Sequence, residues 1–239
     1  EEIKDEKINL LGFSLGGYTA MYLSCKYPEK IECVRLDVTD IAAVNQTAEK
    51  LLERYHRIDV SILNAGVSQR SLAADTAFSV DKRLMDINYF GAISVAKALL
   101  PTMIQHQLGH FIVISSLSGK FGVALRTAYA ASKHALHGFF DALRMEHQKD
   151  NISVSLLCPG FVQTNVTINA LTGDGSILGQ DDPATKNGLE VKAFCKKVIK
   201  ALDTRAWETY FGKKEKLGVY LKRFSQKLLH AVVIRSNVR

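Results

Sequence analysis

Apolar and polar positions follow two rhythms along the chain. Short runs dense in Ile, Leu, Val and Phe end at Gly, Pro, Asn or Asp. Longer stretches repeat apolar residues every three or four positions. The first kind predicts buried strands and the second predicts amphipathic helices. On this reading residues 8–11 form a strand that ends in a Gly-rich turn, and 18–26 form a helix stopped near Pro28. Residues 31–38 are a second strand, 42–55 a helix rich in good helix formers, and 59–63 a third strand cut by Asn64-Ala65-Gly66. A long helical pattern covers 80–103, with Pro101 near its end. Residues 110–115 are a strand, and a helix runs from Tyr129 to about Met145. Residues 152–157 are a strand stopped by Pro159-Gly160, and 206–211 a last, shorter one.

Strands that alternate with helices of this length predict βαβ units and a parallel sheet covered on both faces. The fold class expected is therefore α/β, a Rossmann-type doubly wound sheet. Such sheets bind ligands at the carboxyl ends of their strands. One stretch breaks the rhythm: residues 165–190 hold four scattered glycines and Pro183 with little periodicity. A loop of that length inside a domain is usually a lid or disordered.

Composition alters this picture little. The chain has 239 residues, 47% hydrophobic and 23% charged, values ordinary for a soluble globular protein. The longest apolar runs fall short of the ~18 residues that span a bilayer, so no transmembrane helix is predicted. The charged start, Glu1-Glu2-Ile3-Lys4-Asp5, is unlike a signal peptide. Cys25, Cys33, Cys158 and Cys195 lack the C-x-x-C spacing of a zinc site or redox dithiol, so no metal is expected and the thiols read as reduced and intracellular. Charge alters it more. From Lys192 onward Lys and Arg heavily outnumber Asp203, Glu208 and Glu215, and this stretch accounts for the whole excess behind the formal net charge of +7. Within it Leu217, Tyr220, Leu221, Phe224, Leu228 and Leu229 recur at near-helical spacing with Lys222, Arg223 and Lys227 between them. That pattern suits an interfacial amphipathic helix, or one packed on a partner subunit or near a substrate entrance.

The chemistry begins at Tyr129-Ala130-Ala131-Ser132-Lys133. Residues four apart share a helix face, so a phenol and an ammonium point into the same space. A free phenol titrates near about pH 10, and a cation beside it favours the phenolate. The pair has the parts of a tuned proton donor. Three strand-end loops join it: Asn64-Ala65-Gly66, Ser115-Ser116, and Pro159-Gly160 with Thr164 just beyond. Asn88 lies in the long helix between the first two.

Together, Asn64-Ala65-Gly66, Asn88, Ser116, Tyr129-x-x-x-Lys133 and Pro159-Gly160 resemble the short-chain dehydrogenase/reductases in order and spacing, over residues 33–239. The resemblance implies one dinucleotide-binding domain over 1–239, NAD or NADP as cofactor, and a carbonyl or alcohol substrate. In that family Tyr129 exchanges a proton with the substrate oxygen. Lys133 lowers the Tyr129 pKa and binds the nicotinamide ribose. Ser116 donates a hydrogen bond to the same oxygen, and Asn88 kinks its helix and holds a water linked to Lys133. Asn64, Ala65 and Gly66 let the backbone approach the cofactor, and Pro159, Gly160 and Thr164 flank the nicotinamide. The loop 165–190 covers the substrate, and Phe161 and Leu171 suggest an apolar lining and an apolar substrate. Homodimers or homotetramers through the long helices are common in the family. The expected location is intracellular, cytoplasmic or peripherally membrane-associated through the basic tail 213–239; no nucleic-acid partner is expected.

The front end departs from that pattern. The family expects Thr-Gly-x-x-x-Gly-x-Gly after its first strand. Here Leu11 stands for the threonine and Tyr18 for the last glycine, although Gly12, Ser14 and Gly16 fall where the pyrophosphate loop puts them. Gly12-Phe13-Ser14-Leu15-Gly16 looks like the G-x-S-x-G nucleophile elbow of the α/β-hydrolases, a likeness that covers residues 1–31. The interval from Gly12 to Asn64 also leaves the sheet one βα unit short near the N-terminus. Asp37 and Val38 fall at the adenosine end on either assignment of their strand. The reading is an NAD(P)-dependent oxidoreductase. Its rivals are a catalytically weak scaffold with an impaired cofactor loop and a serine hydrolase using Ser14.

Overall fold

The segment Gly-His-Phe-Ile-Val-Ile (Gly109–Ile114, β2) is buried over almost its whole length. A strand apolar on both faces belongs inside a parallel sheet with helices above and below, and β2 occupies that position. The computed structural model of the protein describes residues 34–235. Among them β1 (Val60–Leu63), β2, β3 (Ile152–Pro159) and β4 (Glu208–Phe211) lie in the order β1-β2-β3-β4, all parallel.

The alternation of side chains along β2 and β3 separates two cores. Phe111, Val113, Val154 and Leu156 face one side, against Leu136, Phe140 and Leu143 of α4 (Thr127–Glu146) and Val95, Leu99 and Met103 of α3 (Gly91–Gln105). Ile112 and Leu157 face the other side, against Phe194, Val198, Ala201 and Leu202 of α6 (Val191–Thr204). Phe111 and Phe140 are wholly buried with ring centroids 6.2 Å apart. Each such side chain contributes about 1.5–3 kcal/mol of burial free energy. The α/β doubly wound class expected from the segment rhythm is the observed one.

Before β1 lies α1 (Ile41–Tyr55). The Asp40 side chain caps it by accepting from Ala43 N at 3.0 Å, and it ends at His56 in the left-handed region, φ 66°. Between β1 and β2 a continuous helix is built from α2 (Phe78–Met85), a π-helical turn (Asp86–Phe90) and α3. This stretch, Phe78–Gln105, is long and apolar enough to cross a membrane. Its buried face packs into the sheet core, as in the core helix of a globular protein, and length and composition do not separate the two cases. After β3 come the short α5 (Pro183–Lys186), then α6, β4, α7 (Leu217–Phe224) and α8 (Gln226–Arg235).

Three expectations change. The strand predicted over 31–38 is not one in its described part: residues 34–37 pair with no strand among the described residues, and a turn follows. Asp37 Oδ1 there accepts from Thr39 N (2.9 Å) and Thr39 Oγ1 (2.8 Å), a local closure that competes with a ladder. Helix α6 was not anticipated at all. The helical pattern of the tail divides at Ser225, whose backbone is extended (φ −157°, ψ 108°). Gly218 and Leu229 dock on Phe121, so close that a Cβ on Gly218 would stand 2.8 Å from the Phe121 ring. The first strand and helix, the hydrolase-like turn and the missing βα unit lie outside the described residues.

Candidate functional site

The loops after β1, β2 and β3 meet the first turns of α4 at the carboxyl edge of the sheet. This is where Tyr129, Lys133, Ser116, Asn88, Gly66 and Pro159 come together. Helix α4 has no cap from its own leading residue, Arg126. Gln69, fully buried in the loop beyond β1, supplies one. Its Oε1 accepts from Ala128 N (3.0 Å) and Tyr129 N (3.3 Å), and its Nε2 donates to Ser71, Thr76 and Thr127 hydroxyls at 3.2–3.4 Å. The amides that open the helix are satisfied from 59 and 60 positions away, which fixes where Tyr129 starts.

Asn88 sits in the π-turn, a local widening of the helix. Its side chain is buried and fully used. Oδ1 accepts from Val67 N (2.8 Å), and Nδ2 donates to Val67 O and Ser132 Oγ (3.0 Å each); Ser132 Oγ donates in turn to Tyr129 O at 2.8 Å. Asn88 thus ties the β1 loop to α4. Gly66 makes this approach feasible: a Cβ there would lie 3.1 Å from Asn88 Oδ1 and 3.5 Å from Lys133 Nζ.

Lys133 is buried, and its Nζ donates to Ile114 O at the end of β2 (2.9 Å). Burial pulls its pKa down from 10.5 to about 8. Its Nζ stands 5.9 Å from the Tyr129 ring centroid. Burial raises the Tyr129 phenol above its ordinary value; the Ser116 hydroxyl, Arg126 and Arg70 pull it back. Three cations thus bear on Tyr129: Arg126 and Arg70 on the phenol, and Lys133 over the ring. The two serines after β2 diverge. Ser116 Oγ accepts from Ser118 N and lies 3.4 Å from Pro159 O, whereas Ser115 Oγ is 3.0 Å from His137 Nε2.

The remaining predicted residues border the same edge. Asn64 is exposed and Ala65 partly buried, just past β1. Pro159 ends β3 in register with Phe211, and Gly160 N donates to Phe211 O at 2.7 Å. Thr164 is exposed and lines a cavity of about 290 Å³ with Gln163, Asn165, Asp181, Thr185 and Lys186. Val38 is buried against Gly91, and the Asp37 carboxylate, held below its usual pKa by the Thr39 N–H, stays exposed at the start of α1. Gly12, Ser14 and Gly16 lie outside the described residues.

The segment 165–190 folds back on the β1 loop. Leu171 N donates to Ser68 O and Arg70 N to Leu171 O, both at 2.9 Å, and Arg70 Nη2 pairs with Asp182 at 3.0 Å. Leu171, expected in an apolar lining, is buried among Val80, Leu84 and Ala128. A larger cavity of about 670 Å³ lies between α2 and α4, along Phe78, Met85, Phe90, Ala128 and Ala131. His137, Cys158 and Glu208 also gather, with ligand atoms within 4.8 Å of one another. Lys120 Nζ, 2.8 Å from Glu208 Oε1, already supplies the cation there, and burial raises the Cys158 thiol so that it stays protonated. Gln69, Arg70, Arg126, Ser132 and Asp182 were not singled out from the sequence. Their partners lie far off in the chain, and no spacing pattern marks them.

Known proteins match this architecture. The family model for short chain dehydrogenases covers residues 18–174. Dehydrogenase/reductase SDR family member 7B of Xenopus laevis is 40% identical over 214 residues, 89% of this chain and 66% of that protein. A short-chain dehydrogenase from Streptomyces avermitilis superposes with a TM-score of 0.75 at 26% identity, over 89% of this chain and 84% of the other. ElxO, solved with NADP bound, gives 0.60 at 26% identity, over 66% and 64%. The chain spans less than two thirds of the length of the family 7B relatives from Xenopus laevis, Xenopus tropicalis and Bos taurus (66, 63 and 60%). The family match starts after Gly17, so the hydrolase-like turn lies outside it. On the match over residues 18–174 and the parallel sheet with its loops, the chain belongs to the short-chain dehydrogenase/reductase family.

Proposed function

We propose that the protein is an NAD(P)-dependent oxidoreductase acting on a carbonyl or alcohol, with Tyr129 as the proton donor and acceptor. The observation that carries this reading is the convergence of the Tyr129 phenol, the Ser116 hydroxyl and the buried Lys133 ammonium at the carboxyl edge of a parallel sheet. The residues suit a nicotinamide nucleotide. Among the described residues Lys133 engages one acceptor, Ile114 O, which leaves ammonium hydrogens for ribose hydroxyls. Gly66 keeps the strand end bare, and Asn64, Ala65, Pro159, Gly160 and Thr164 frame the same edge. Asp37 and Val38 mark the adenosine end, with Gly12, Ser14 and Gly16 as the pyrophosphate loop. When bound, the cofactor supplies or accepts the hydride.

Everything else falls to the chain's own groups. Ser116 donates a hydrogen bond to the substrate oxygen and stabilises charge that develops there. Tyr129 Oη delivers its proton to that oxygen in reduction and recovers it in oxidation. Arg126 and Arg70 offset part of the cost of burying the phenol, while Lys133 positions the ribose and Asn88 holds α4 against the β1 loop. The segment 165–190 covers the substrate, anchored through Arg70 and Asp182.

Two further placements belong to the same reading. The exposed Phe78 and Phe90 on the α2/α4 face would meet a second copy in a homodimer or homotetramer. The exposed Tyr220, Phe224, Leu228 and Ile234, with Lys and Arg around them, would rest on an anionic membrane surface while Gly218 and Leu229 hold the tail to the body.

The reading is tested by mixing the protein with NADH or NADPH and a panel of aldehydes and ketones, following loss of reduced-nicotinamide absorbance. Turnover with either cofactor is expected. No turnover and no shift in melting temperature at millimolar cofactor would favour a scaffold instead.

A further inference from the structure

Two guanidinium groups share one carboxylate, and one of them, Arg126, stands immediately before the helix that carries Tyr129. Arg70 Nη2 lies 3.0 Å and Arg126 Nη2 3.9 Å from the same oxygen, Asp182 Oδ2. Asp182 is otherwise occupied: Oδ1 accepts from Thr185 N at 2.7 Å, and Oδ2 stands 3.5 Å from Thr167 Oγ1. Arg70 is tied down on several sides. Its Nη1 donates to Ser68 Oγ and Gln69 O, and its Nη2 also reaches Thr167 Oγ1.

Arg126 differs. Its side chain is 8% exposed, yet Nη2 is buried with no hydrogen-bond partner among the described residues. Its guanidinium carbon stands 5.6 Å from the Phe161 ring centroid, so the planar group rests on an aromatic wall. The cluster holds two cations and one anion. A guanidinium removed from water without a matched partner is costly, and it binds an arriving oxyanion strongly through paired donors. The amides at the start of α4 do not compete for such a ligand, because Gln69 already accepts from them.

We propose that Arg126 is a specificity residue that anchors an oxyanion, carboxylate or phosphate, carried by the carbonyl substrate. This rests on the proposed chemistry at Tyr129, three residues after Arg126 at the opening of α4. The substrate class is then a carbonyl compound with a charged end held by Arg126 and Phe161, rather than a wholly apolar one.

The test compares matched pairs of substrates: an oxo acid with its methyl ester, and a phosphorylated hydroxyketone with its free alcohol. Each is measured with the wild type, Arg126→Gln and Arg126→Lys. In the wild type kcat/KM for the anionic member should exceed that of its neutral partner by about tenfold or more. That ratio should fall towards one in Arg126→Gln, chiefly through KM. Arg126→Lys, which keeps the charge without the fork, should restore part of it and guards against a glutamine variant that fails to fold. Preference within the acid pair alone identifies a carboxylate, and within the phosphate pair alone a phosphate. No anionic preference in the wild type, or the same preference in Arg126→Gln, overturns the assignment. A second readout needs no turnover: stabilisation by inorganic phosphate or acetate over chloride at equal ionic strength, present in the wild type and lost in Arg126→Gln. If this appears while no carbonyl is turned over, the oxidoreductase reading fails and the subsite stands. If carbonyls are turned over and no Arg126-dependent effect of anions appears in either readout, the subsite alone fails.

Discussion

Gln69 Oε1 accepts a hydrogen bond from Tyr129 N at 3.3 Å, reaching across 60 positions of sequence to cap the helix that carries the phenol. A loop beyond one strand thereby sets the position of a side chain on the far side of another. Gln69 is wholly buried, and its amide also serves Ala128 N and three hydroxyls. Gln69→Leu should strand these partners and destabilise the protein by about 1–3 kcal/mol in a denaturant titration. Activity should fall by more than the folded fraction explains, because the start of α4 loosens. Unchanged stability would show that the cap contributes nothing.

Lys133 gives a prediction with a defined sign in pH. Its pKa is about 8 in the folded protein against 10.5 when free, so between those values the unfolded chain binds more protons than the folded one. Stability conferred by this group therefore rises as pH increases from about 8 towards 10.5, and below that window burying the charge opposes folding. In the absence of cofactor, Lys133→Met should be more stable than the wild type at pH 7, and the gap in melting temperature should narrow as pH rises through the window. A gap that is constant or widens with pH would contradict the assigned burial.

The tail makes a prediction about surfaces. Phe224 is 85% exposed and sits among Lys222, Arg223 and Lys227. Flotation with anionic phospholipid vesicles should capture the protein at low salt and release it as ionic strength rises. Phe224→Ser should weaken capture without moving the melting temperature. No capture at low salt would end the membrane placement.

The sequence made some of this legible and hid the rest for physical reasons. Residues 110–115, 129–145 and 152–157 were placed within a few positions because a fully buried strand and a long amphipathic helix leave strong periodic traces. Asn88, Ser116, Tyr129 and Lys133 were found through an ordered set of motifs. The helix Val191–Thr204 is hard to read from sequence because Lys192, Lys196, Lys197 and Lys200 interleave with its packed stripe of Phe194, Val198, Ala201 and Leu202. The segment 31–38 had the apolar run of a strand, but the Asp37–Thr39 closure governs its described end. Gln69, Arg70, Arg126 and Asp182 act through partners 56 to 112 positions away, and such pairings emerge only when the loops are brought together.

The central claim is that Tyr129 moves the proton while other groups hold the cofactor. Tyr129→Phe removes one oxygen and leaves the ring that packs at the start of α4. The measurement is kcat for carbonyl reduction beside the dissociation constant for NADH or NADPH, taken on wild type and variant together. The account predicts that kcat falls by about a hundredfold or more, the scale of a lost general acid, while cofactor affinity changes by less than about tenfold. Retained turnover, or loss of cofactor binding in step with turnover, would contradict it.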